Sequence, residues 1–298
     1  MTESGFTDVG SVTELTQLLA RHDYLADRGL ATATFVSLRL GKPLLLEGEV
    51  GVGKTELAKT LAAAFGRRLI RLQCHEGIDA SQALYEWDHV RQLMHIRLLS
   101  QSGNDDESQI DKLYSAKYLL DRPLLDAIRA GDDAVLLIDE IDRADDEFEA
   151  FLLEVLSDFQ VTIPEIGTIR AASRPIVVLT SNRTRELHDA LRRRCLYHWI
   201  GFPSAEREIE IVRARIPDAA GTIVAAVVTA VSRLRELDLM KPPGVAETLD
   251  WVETLGAVEA TALSTDIAAD TLGSVIKDPD DLDVARAHLD EIVGNAAR

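Results

Sequence analysis

The segment GEVGVGKT, Gly48–Thr55, constrains the fold of this chain more than any other stretch. It fits the pattern G-x-x-x-x-G-K-[ST], in which the glycines let backbone N–H groups turn inward around an anion. The apolar run KPLLLEG before it, Lys42–Gly48, predicts a buried strand, and ELAKTLAAAF after it, Glu56–Phe65, predicts a helix. Because the motif sits between a strand and a helix, the sequence predicts an α/β fold with a phosphate site at a helix N-terminus.

Two side chains of this motif carry the predicted chemistry. Lys54 is expected to reach the β- and γ-phosphates of a bound nucleotide, and Thr55 to hold Mg²⁺. The residues predicted to contact the nucleotide or its metal are Gly48, Glu49, Val50, Gly51, Val52, Gly53, Lys54, Thr55, Glu56 and Asp139. The alternative is a glycine-rich turn that binds no phosphate.

A second motif, VLLIDE, places two adjacent carboxylates at the end of an apolar strand. Ligands meet an open α/β sheet at the carboxyl ends of its strands. Asp139 is therefore predicted to bind Mg²⁺, through water, and Glu140 to polarise an attacking water as general base. The alternative is a pair of solvated acids. The acids that follow, Asp142, Asp145 and Asp146, are expected to be surface charge.

Asn182 ends the next predicted strand, in the segment LTSN. An amide at the polar tip of that strand would orient the water beside the γ-phosphate. Asparagine is also a frequent helix cap, so the residue alone is a weak signal. The order of the three motifs along the chain strengthens the functional interpretation.

The remaining pattern predicts a parallel sheet covered on both faces, because continuous apolar strands alternate with helices. The predicted strands are Lys42–Gly48, Arg68–Cys74, Ala134–Glu140, Arg174–Asn182 and Tyr197–Phe202, with a small hairpin at Gln160–Ala172. The predicted helical segments are 1–40, Glu56–Phe65, Ser81–Leu99, a helix ending near Ala130, and Glu147–Phe159, with a polar loop at Ser100–Gln109. Only helical patterning follows Pro203, so we expect a core over 1–203 and a helical domain over 204–298.

Charge and cysteine content exclude several classes of protein. With 32 Lys+Arg against 50 Asp+Glu the net charge is −18, which argues against a nucleic-acid binder or an anionic-membrane binder held by bulk charge. Cys74 and Cys195 are too few for a disulfide framework, so a reduced, cytoplasmic protein is expected. The first residues have no signal-peptide pattern, and the longest apolar run, Thr222–Val231, is too short to span a bilayer.

Three adjacent arginines, Arg192, Arg193 and Arg194, are unusual in so acidic a chain. They fit a solvated helix end near the negative pole of the helix dipole. They also fit a site in which one arginine reaches a phosphate. One helix end cannot point all three the same way, so one or two are expected to be structural.

The order of these parts resembles the AAA+ ATPases. The strings LLIDEIDRAD, TSNRTRELHDALRRRC and KPPGVAETLDW, with the Gly48–Thr55 segment, resemble the MoxR branch. HEGIDASQALYEWDHVRQLMHIR and ALRRRC narrow the resemblance to the CoxD-like subgroup, which is linked to maturation of carbon monoxide dehydrogenase and related molybdenum enzymes. The resemblance covers about residues 20–255.

The resemblance implies a five-stranded αβα core, a helical lid and a ring, usually a hexamer, with ATP between subunits. It implies a chaperone-like role with a von Willebrand factor A domain partner and a target metalloenzyme. Arg194, or Arg193 beside it, would act on the neighbouring subunit's ATP. Tyr24 would lie near the adenine, and 79–112 would be the insertion typical of this branch. The segment MKPPGVAETLDW lacks the lid arginine that many AAA+ proteins have. Lys241 is the candidate substitute, and the alternative is that Pro242 and Pro243 simply start a helix there.

Two other functions fit the same motifs. One is a nucleic-acid motor of related type, which the acidic charge disfavours. The other is a nucleotide-gated scaffold that binds ATP and barely hydrolyses it, which an intact Glu140 disfavours. Cys74, His75 and His89 do not match a zinc-binding spacing.

Overall fold

A computed structural model describes residues 9–101 and 112–294 of the chain. The strands are β1 Leu44–Gly48, β2 Arg68–Gln73, β3 Tyr85–Trp87, β4 Leu119–Asp121, β5 Ala134–Asp139, β6 Gln160–Ile163, β7 Gly167–Arg170, β8 Ile176–Ser181 and β9 Leu196–Ile200. The first helices are α1 Val12–Ala20, α2 Arg28–Leu40, α3 Lys54–Ala64, α4 Ala80–Ala83, α5 His89–Gln101, α6 Pro123–Ala130, α7 Asp146–Asp158 and α8 Asp189–Arg194. The later helices are α9 Ala205–Arg215, α10 Gly221–Glu236, α11 Val245–Ala257, α12 Thr265–Thr271, α13 Pro279–Ala287 and α14 Leu289–Val293.

A five-stranded sheet in the order β2-β5-β8-β1-β9 confirms the predicted fold class. The β2–β5, β5–β8 and β8–β1 pairs run parallel. Every residue of β1, β5 and β8 is buried, as expected of strands covered on both faces. The carboxyl ends of these strands therefore lie along one edge of the sheet, which is where the candidate functional residues are found.

The structure divides into two compact units. The first comprises the chain up to Leu18, Ala26–Glu47 and Leu57–His198, and the second Leu19–Leu25, Gly48–Glu56 and the chain from Trp199. The first unit has its core among the sheet and the helices that cover it, with Leu124, Ile138, Phe148 and Leu152 among the buried side chains. The second has a helical core that includes Val227, Val231, Trp251 and Leu255.

The prediction of a single helix over Ser81–Leu99 is wrong. The structure has the short helix α4, the strand β3 and only then the helix α5. Strand β3 pairs antiparallel with β4, and the Trp87 ring lies edge-on to the rings of Tyr85 and Tyr114, at 6.1 Å and 5.3 Å between centroids. Pairing with a strand more than thirty residues away overrides the local helical pattern, since aromatic side chains pack well on paired strands.

Two other predicted helical segments are interrupted. Residues 1–8 of the predicted segment 1–40 lie outside the described residues. In the rest, α1 and α2 are separate helices, and Asp27 caps the second by accepting from the Leu30 N–H at 2.7 Å. The segment ending near Ala130 is α-helical only from Pro123, after two short 3-10 helices and β4. The predicted loop Ser100–Gln109 begins inside α5, and from Ser102 onward it lies outside the described residues.

The hairpin is confirmed as β6 and β7, and the elements after Pro203 are helical throughout the described chain. Within the part of the chain that the structure describes, no helix has both the length and the apolar character that crossing a bilayer requires.

Replacing Leu137 by alanine tests how far the central sheet stabilises the first unit. Leu137 is fully buried on β5, so Leu137→Ala should lower the free energy of unfolding by about 2–5 kcal/mol. Leu93→Ala is the matched control, because the Leu93 side chain is 61% exposed, and it should change stability by about 0.5 kcal/mol or less. Urea denaturation followed by circular dichroism measures both. Equal losses in the two variants would contradict the assignment of Leu137 to the core.

Candidate functional site

The Gly48–Thr55 loop lies against the start of helix α11 in the second unit. Gly51 has a φ of +74°, and a Cβ atom there would lie 2.7 Å from Glu247 Oε2 and 3.1 Å from the Gly244 Cα atom. A Cβ atom on Gly244 would lie 2.5 Å from the Val50 carbonyl oxygen. The Ala246 N–H donates to the Gly51 carbonyl at 3.1 Å. Because Gly51 and Gly244 lack side chains, the Gly48–Thr55 loop and the start of α11 can pack backbone against backbone. This contact holds the loop in place.

Lys54 is the first residue of α3 and is 7% exposed. Its Nζ atom donates to the carbonyl oxygens of Gly48 at 2.8 Å and Glu49 at 2.6 Å. Tyr24, also buried, donates its hydroxyl to the Gly53 carbonyl at 3.3 Å. The lysine thus crosses the loop that the motif predicts as a phosphate cradle, and Tyr24 lies beside that loop.

A buried ion pair fixes the segment that precedes α11. Arg235 binds the Glu208 carboxylate with both terminal nitrogens, at 2.6 Å and 2.9 Å, and Glu208 is fully buried. The same arginine donates to the Pro243 carbonyl at 2.7 Å. The Thr248 hydroxyl donates to Glu208 Oε1 at 2.5 Å. Nothing in the sequence indicated this cluster, because Arg235 and Glu208 come from two other helices, α10 and α9.

Lys241 belongs to the same segment and is exposed. Its Nζ atom lies 3.1 Å from Asp278 Oδ2, and the hydrogen bond from Lys241 lowers the pKa of that carboxyl group. The backbone N–H of Lys241 donates to the buried carboxylate of Asp281 at 3.0 Å. Both contacts hold Lys241 against the first turn of α13.

In the first unit, Asp139 ends β5 with a side chain that is almost fully buried. Its Oδ2 atom accepts from Arg71 Nη2 at 2.6 Å and from Arg71 Nε at 3.1 Å. Its Oδ1 atom accepts from the Thr180 hydroxyl at 2.5 Å. Arg71 is not among the predicted site residues, although it lies two residues before the end of β2, where polar side chains of a parallel sheet meet ligands.

Glu140 follows in the left-handed backbone region, with φ 54° and ψ 49°. This conformation turns the chain sharply at the end of β5. The Glu140 carboxylate lies 2.9 Å from Arg143 Nε and accepts from Gln73 Nε2 at 3.1 Å. Its N–H donates to the Thr180 hydroxyl at 2.9 Å. The two carboxylates of the VLLIDE motif thus have different partners, although Thr180 contacts both residues, and Glu140 is the more exposed.

The interpretation of Asp142 as surface charge is wrong. Asp142 is 2% exposed, and its Oδ2 atom accepts from the N–H groups of Asn182 at 3.2 Å and Thr184 at 2.9 Å, and from the Thr184 hydroxyl at 2.8 Å. Asp145 and Asp146 are exposed, as predicted, and Asp145 also caps α7 by accepting from the Phe148 N–H at 2.8 Å. Asp142 therefore fixes the backbone that carries Asn182, which is half-buried just beyond β8.

The three arginines end α8, and Arg192 and Arg194 have different partners. Arg192 is partly buried, lies 4.0 Å from the Glu47 carboxylate and stacks over the Tyr197 ring at 5.5 Å. Arg193 and Arg194 are exposed, and Arg194 donates to the Leu153 carbonyl at 3.1 Å. The contact with buried Glu47 makes Arg192 the structural member of the cluster.

The residues fit the groups that the motifs imply. A glycine-lined loop that leads into α3, with Lys54 across it, fits a chain of phosphates, because it combines backbone donors, a helix N-terminus and a cation. The carboxylate of Asp139 and the hydroxyl of Thr55 are hard oxygen donors of the kind that Mg²⁺ takes. Asp139 also accepts from a guanidinium group, so its charge is already compensated.

Neither cysteine has the properties of a reactive thiol. Burial, aided by the nearby charges of Asp139, Asp142 and Glu140, raises the pKa of Cys74 to about 12. Burial alone raises the pKa of Cys195 to about 12. Both groups are free thiols that stay protonated near neutral pH.

Comparison with known proteins identifies one family. The family described as the AAA domain (dynein-related subfamily) matches residues 43–195, just over half of the chain. The match begins at β1 and ends beside the three arginines, and so contains every predicted site residue from Gly48 to Arg194.

Curated relatives match over longer stretches at low identity. The chain is 26% identical over 274 residues to the gas vesicle ATPase GvpN1 of Halobacterium salinarum, covering 86% of this chain and 75% of that protein. It is 26% identical to the protein NorQ of Paracoccus denitrificans, covering 57% of this chain and 56% of NorQ. Among solved structures, the RuvB Holliday junction branch migration motor of Thermotoga maritima is 19% identical, with a TM-score of 0.44 over 90% of this chain and 72% of that one.

Replacing Gly51 by alanine tests the close approach at the loop. Gly51→Ala adds a steric clash to an unfavourable φ, whereas Gly66→Ala adds only the unfavourable φ of +62°, since nothing lies within 4 Å of its Cβ position. We expect Gly51→Ala to weaken binding of a fluorescent nucleoside triphosphate by about tenfold or more, and Gly66→Ala to leave it unchanged while costing about 1 kcal/mol in stability. Fluorescence titration and thermal denaturation measure the two effects. Equal affinity in both variants would contradict the packing described.

Thiol labelling tests the environment of the cysteines. With both pKa values raised to about 12, less than about one thiol in 10³ is ionised near pH 8, so Ellman's reagent should react with the native chain at least about 100-fold more slowly than with the chain in concentrated guanidinium chloride. The native rate should rise with pH throughout the range from about 7 to 9 without levelling off, because the neutral form dominates below the folded pKa. A rate that begins to level off above about pH 8.5 would show an exposed, ordinary thiol.

Proposed function

Because this chain belongs to the AAA domain family, dynein-related subfamily, and is an AAA+ ATPase of the MoxR-like type, we propose that it works as a ring that remodels a metalloenzyme. In this proposal the ring hydrolyses ATP with Mg²⁺ and uses the energy to remodel the target or to load its metal. The observation that carries the proposal is the buried strand end where Asp139 and Glu140 follow one another, held by separate partners.

The proposed roles follow from the sequence motifs. Lys54 and Thr55, at the start of α3, would bind the phosphates and the metal, and Asp139 would hold the metal through water. Mg²⁺, when bound, neutralises charge on the β- and γ-phosphates. Glu140 accepts a proton from the attacking water, and Asn182 orients that water. The half-exposed carboxylate of Glu140 supports this assignment, because a general base must reach solvent-derived water.

The arginine that we propose acts across a subunit boundary is Arg194, with Arg193 as the alternative. Both are exposed at the end of α8, while Arg192 is turned toward Glu47. An arginine suits this role because it stays charged and binds phosphate oxygens with two nitrogens. The role of Lys241 as a substitute for a lid arginine stays a prediction; its exposed side chain pairs with Asp278.

The biological assignment rests on the sequence resemblance. The strings HEGIDASQALYEWDHVRQLMHIR and ALRRRC support a CoxD-like function, with a molybdenum enzyme of the carbon monoxide dehydrogenase type as target. We propose a von Willebrand factor A domain protein as partner, a hexameric ring, and the cytoplasm as location. The chain is expected to bind no nucleic acid, given its net charge of −18.

Subunit mixing tests this mechanism. Turnover should rise cooperatively with protein concentration. Arg194→Ala should lower the turnover rate by roughly 10³-fold, because the negative charge that develops on the γ-phosphate in the transition state loses its positive partner. An equimolar mixture of Arg194→Ala with Lys54→Ala should recover part of the activity, since one subunit then supplies an intact nucleotide site and its neighbour an intact arginine. Phosphate release measures all three.

Two further variants serve as controls. Glu140→Gln should retain ATP binding and lose hydrolysis, and Arg192→Ala should not be rescued by Lys54→Ala, because its contact with Glu47 lies within one subunit. If Arg194→Ala hydrolyses ATP at the wild-type rate, Arg194 does not act on the neighbouring subunit's ATP. Either Arg193 has that role or neither arginine has it. Absence of hydrolysis at every concentration of wild type would favour a nucleotide-gated scaffold.

A further inference from the structure

Arg71 contacts the candidate metal ligand, Asp139, with two nitrogens. Two of its nitrogens, Nη2 at 2.6 Å and Nε at 3.1 Å, donate to the same oxygen, Oδ2 of Asp139. The Asp139 side chain is 4% exposed, whereas the Arg71 side chain is 51% exposed. The arginine therefore reaches a buried carboxylate from the solvent side and has room to move away from it.

The register of the sheet directs Arg71 toward this carboxylate. On β2, Gln73 pairs with Asp139 of β5, and Arg71 pairs with Leu137. Side chains two residues apart on a strand share one face of the sheet, so Arg71, Gln73 and Asp139 project on the same side. Gln73 Oε1 accepts from Arg71 Nη2 at 2.5 Å, which orients the guanidinium group along the strand.

The positive charge of Arg71 compensates the negative charge of Asp139. A buried carboxylate is costly unless a counter-charge accompanies it. Arg71 supplies one positive charge to Asp139, and Arg143 supplies another to Glu140, while Asp142 accepts only from neutral groups. A divalent cation held by Asp139 through water would supply the same compensation. The metal-bound water would need the acceptor positions on Oδ2 that the two Arg71 N–H groups occupy.

We propose that Arg71 competes with a divalent cation for Asp139 and so sets the metal affinity of the site. Arg71 is a positioning residue in this proposal, because it acts through the carboxylate. The consequence is that metal binds weakly to the protein alone and enters together with ATP, whose phosphates supply further oxygen ligands. The inference rests on the proposed function in one respect, that Asp139 is a metal ligand.

Binding of Mn²⁺ to the full-length chain without nucleotide tests the proposal. Electron paramagnetic resonance measures free Mn²⁺ directly and requires no enzymatic turnover. Arg71→Gln should raise the Mn²⁺ affinity by about tenfold or more, since removal of a charge in direct contact with a buried carboxylate has a large effect. Arg71→Lys should give a smaller increase, because an ammonium group makes no forked contact.

Arg143→Gln is the matched control. Arg143 pairs with the adjacent acid, Glu140, at 2.9 Å, and its side chain is 54% exposed, so the variant changes the net charge equally at nearly the same place. It should leave the Mn²⁺ affinity within about threefold of wild type. An equal rise in Mn²⁺ affinity in both variants would show a general effect of net charge. It would overturn the proposal that Arg71 competes with the cation for Asp139.

A third measurement separates this inference from the proposed function. In the double variant Arg71→Gln, Asp139→Asn, the gain in Mn²⁺ affinity should disappear. A gain that persists would overturn the inference. If Asp139→Asn alone leaves the Mn²⁺ affinity of the ATP complex unchanged, the metal role of Asp139 in the proposed function is wrong. If Arg71→Gln is unstable in thermal denaturation, Arg71→Lys gives the deciding result, and no rise in that variant overturns the inference.

Discussion

The complete burial of strands β1, β5 and β8 is the constraint on which the first unit depends. These strands contain almost only apolar residues, so they must be covered on both faces. Polar side chains are then confined to the strand ends. Glu47, Asp139 and Ser181 mark those ends, and because the strands are parallel, the ends share one edge of the sheet. The position of the candidate site follows from the burial of the strands that precede it.

Buried acids paired with arginines organise the rest of the structure. Asp139 pairs with Arg71, Glu149 with Arg185, and Glu208 with Arg235. Each pair joins separate elements: neighbouring strands in the first case, α7 and the segment before α8 in the second, and helices α9 and α10 in the third. In this chain of net charge −18, several arginines form ion pairs with buried carboxylates. The arginines therefore fix the geometry around the functional segments, and one of them contacts the candidate metal ligand itself.

The central strands and the hairpin were predictable because their signals are local. A strand such as Ala134–Asp139 is a continuous apolar run bounded by polar residues, and the phosphate-binding motif carries its own strand and helix. The stretch 81–99 was not predictable, because β3 exists only through its pairing with β4. Asp142 was misjudged for a related reason: its burial depends on the loop after β8, some forty residues later, which supplies the N–H groups that it accepts from.

The sequence alone determined the order and type of the main elements, the nucleotide-binding motif and the adjacent acids Asp139 and Glu140, since each is encoded by neighbouring residues. The tertiary structure decided which side chains hold those acids and which way the three arginines face. Arg71 meets Asp139 through strand register, Gly244 meets Gly51 through backbone approach, and Arg192 meets Glu47 through the placement of α8. Contacts between residues far apart in the chain depend on packing, and local periodicity carries no information about which residues packing brings together.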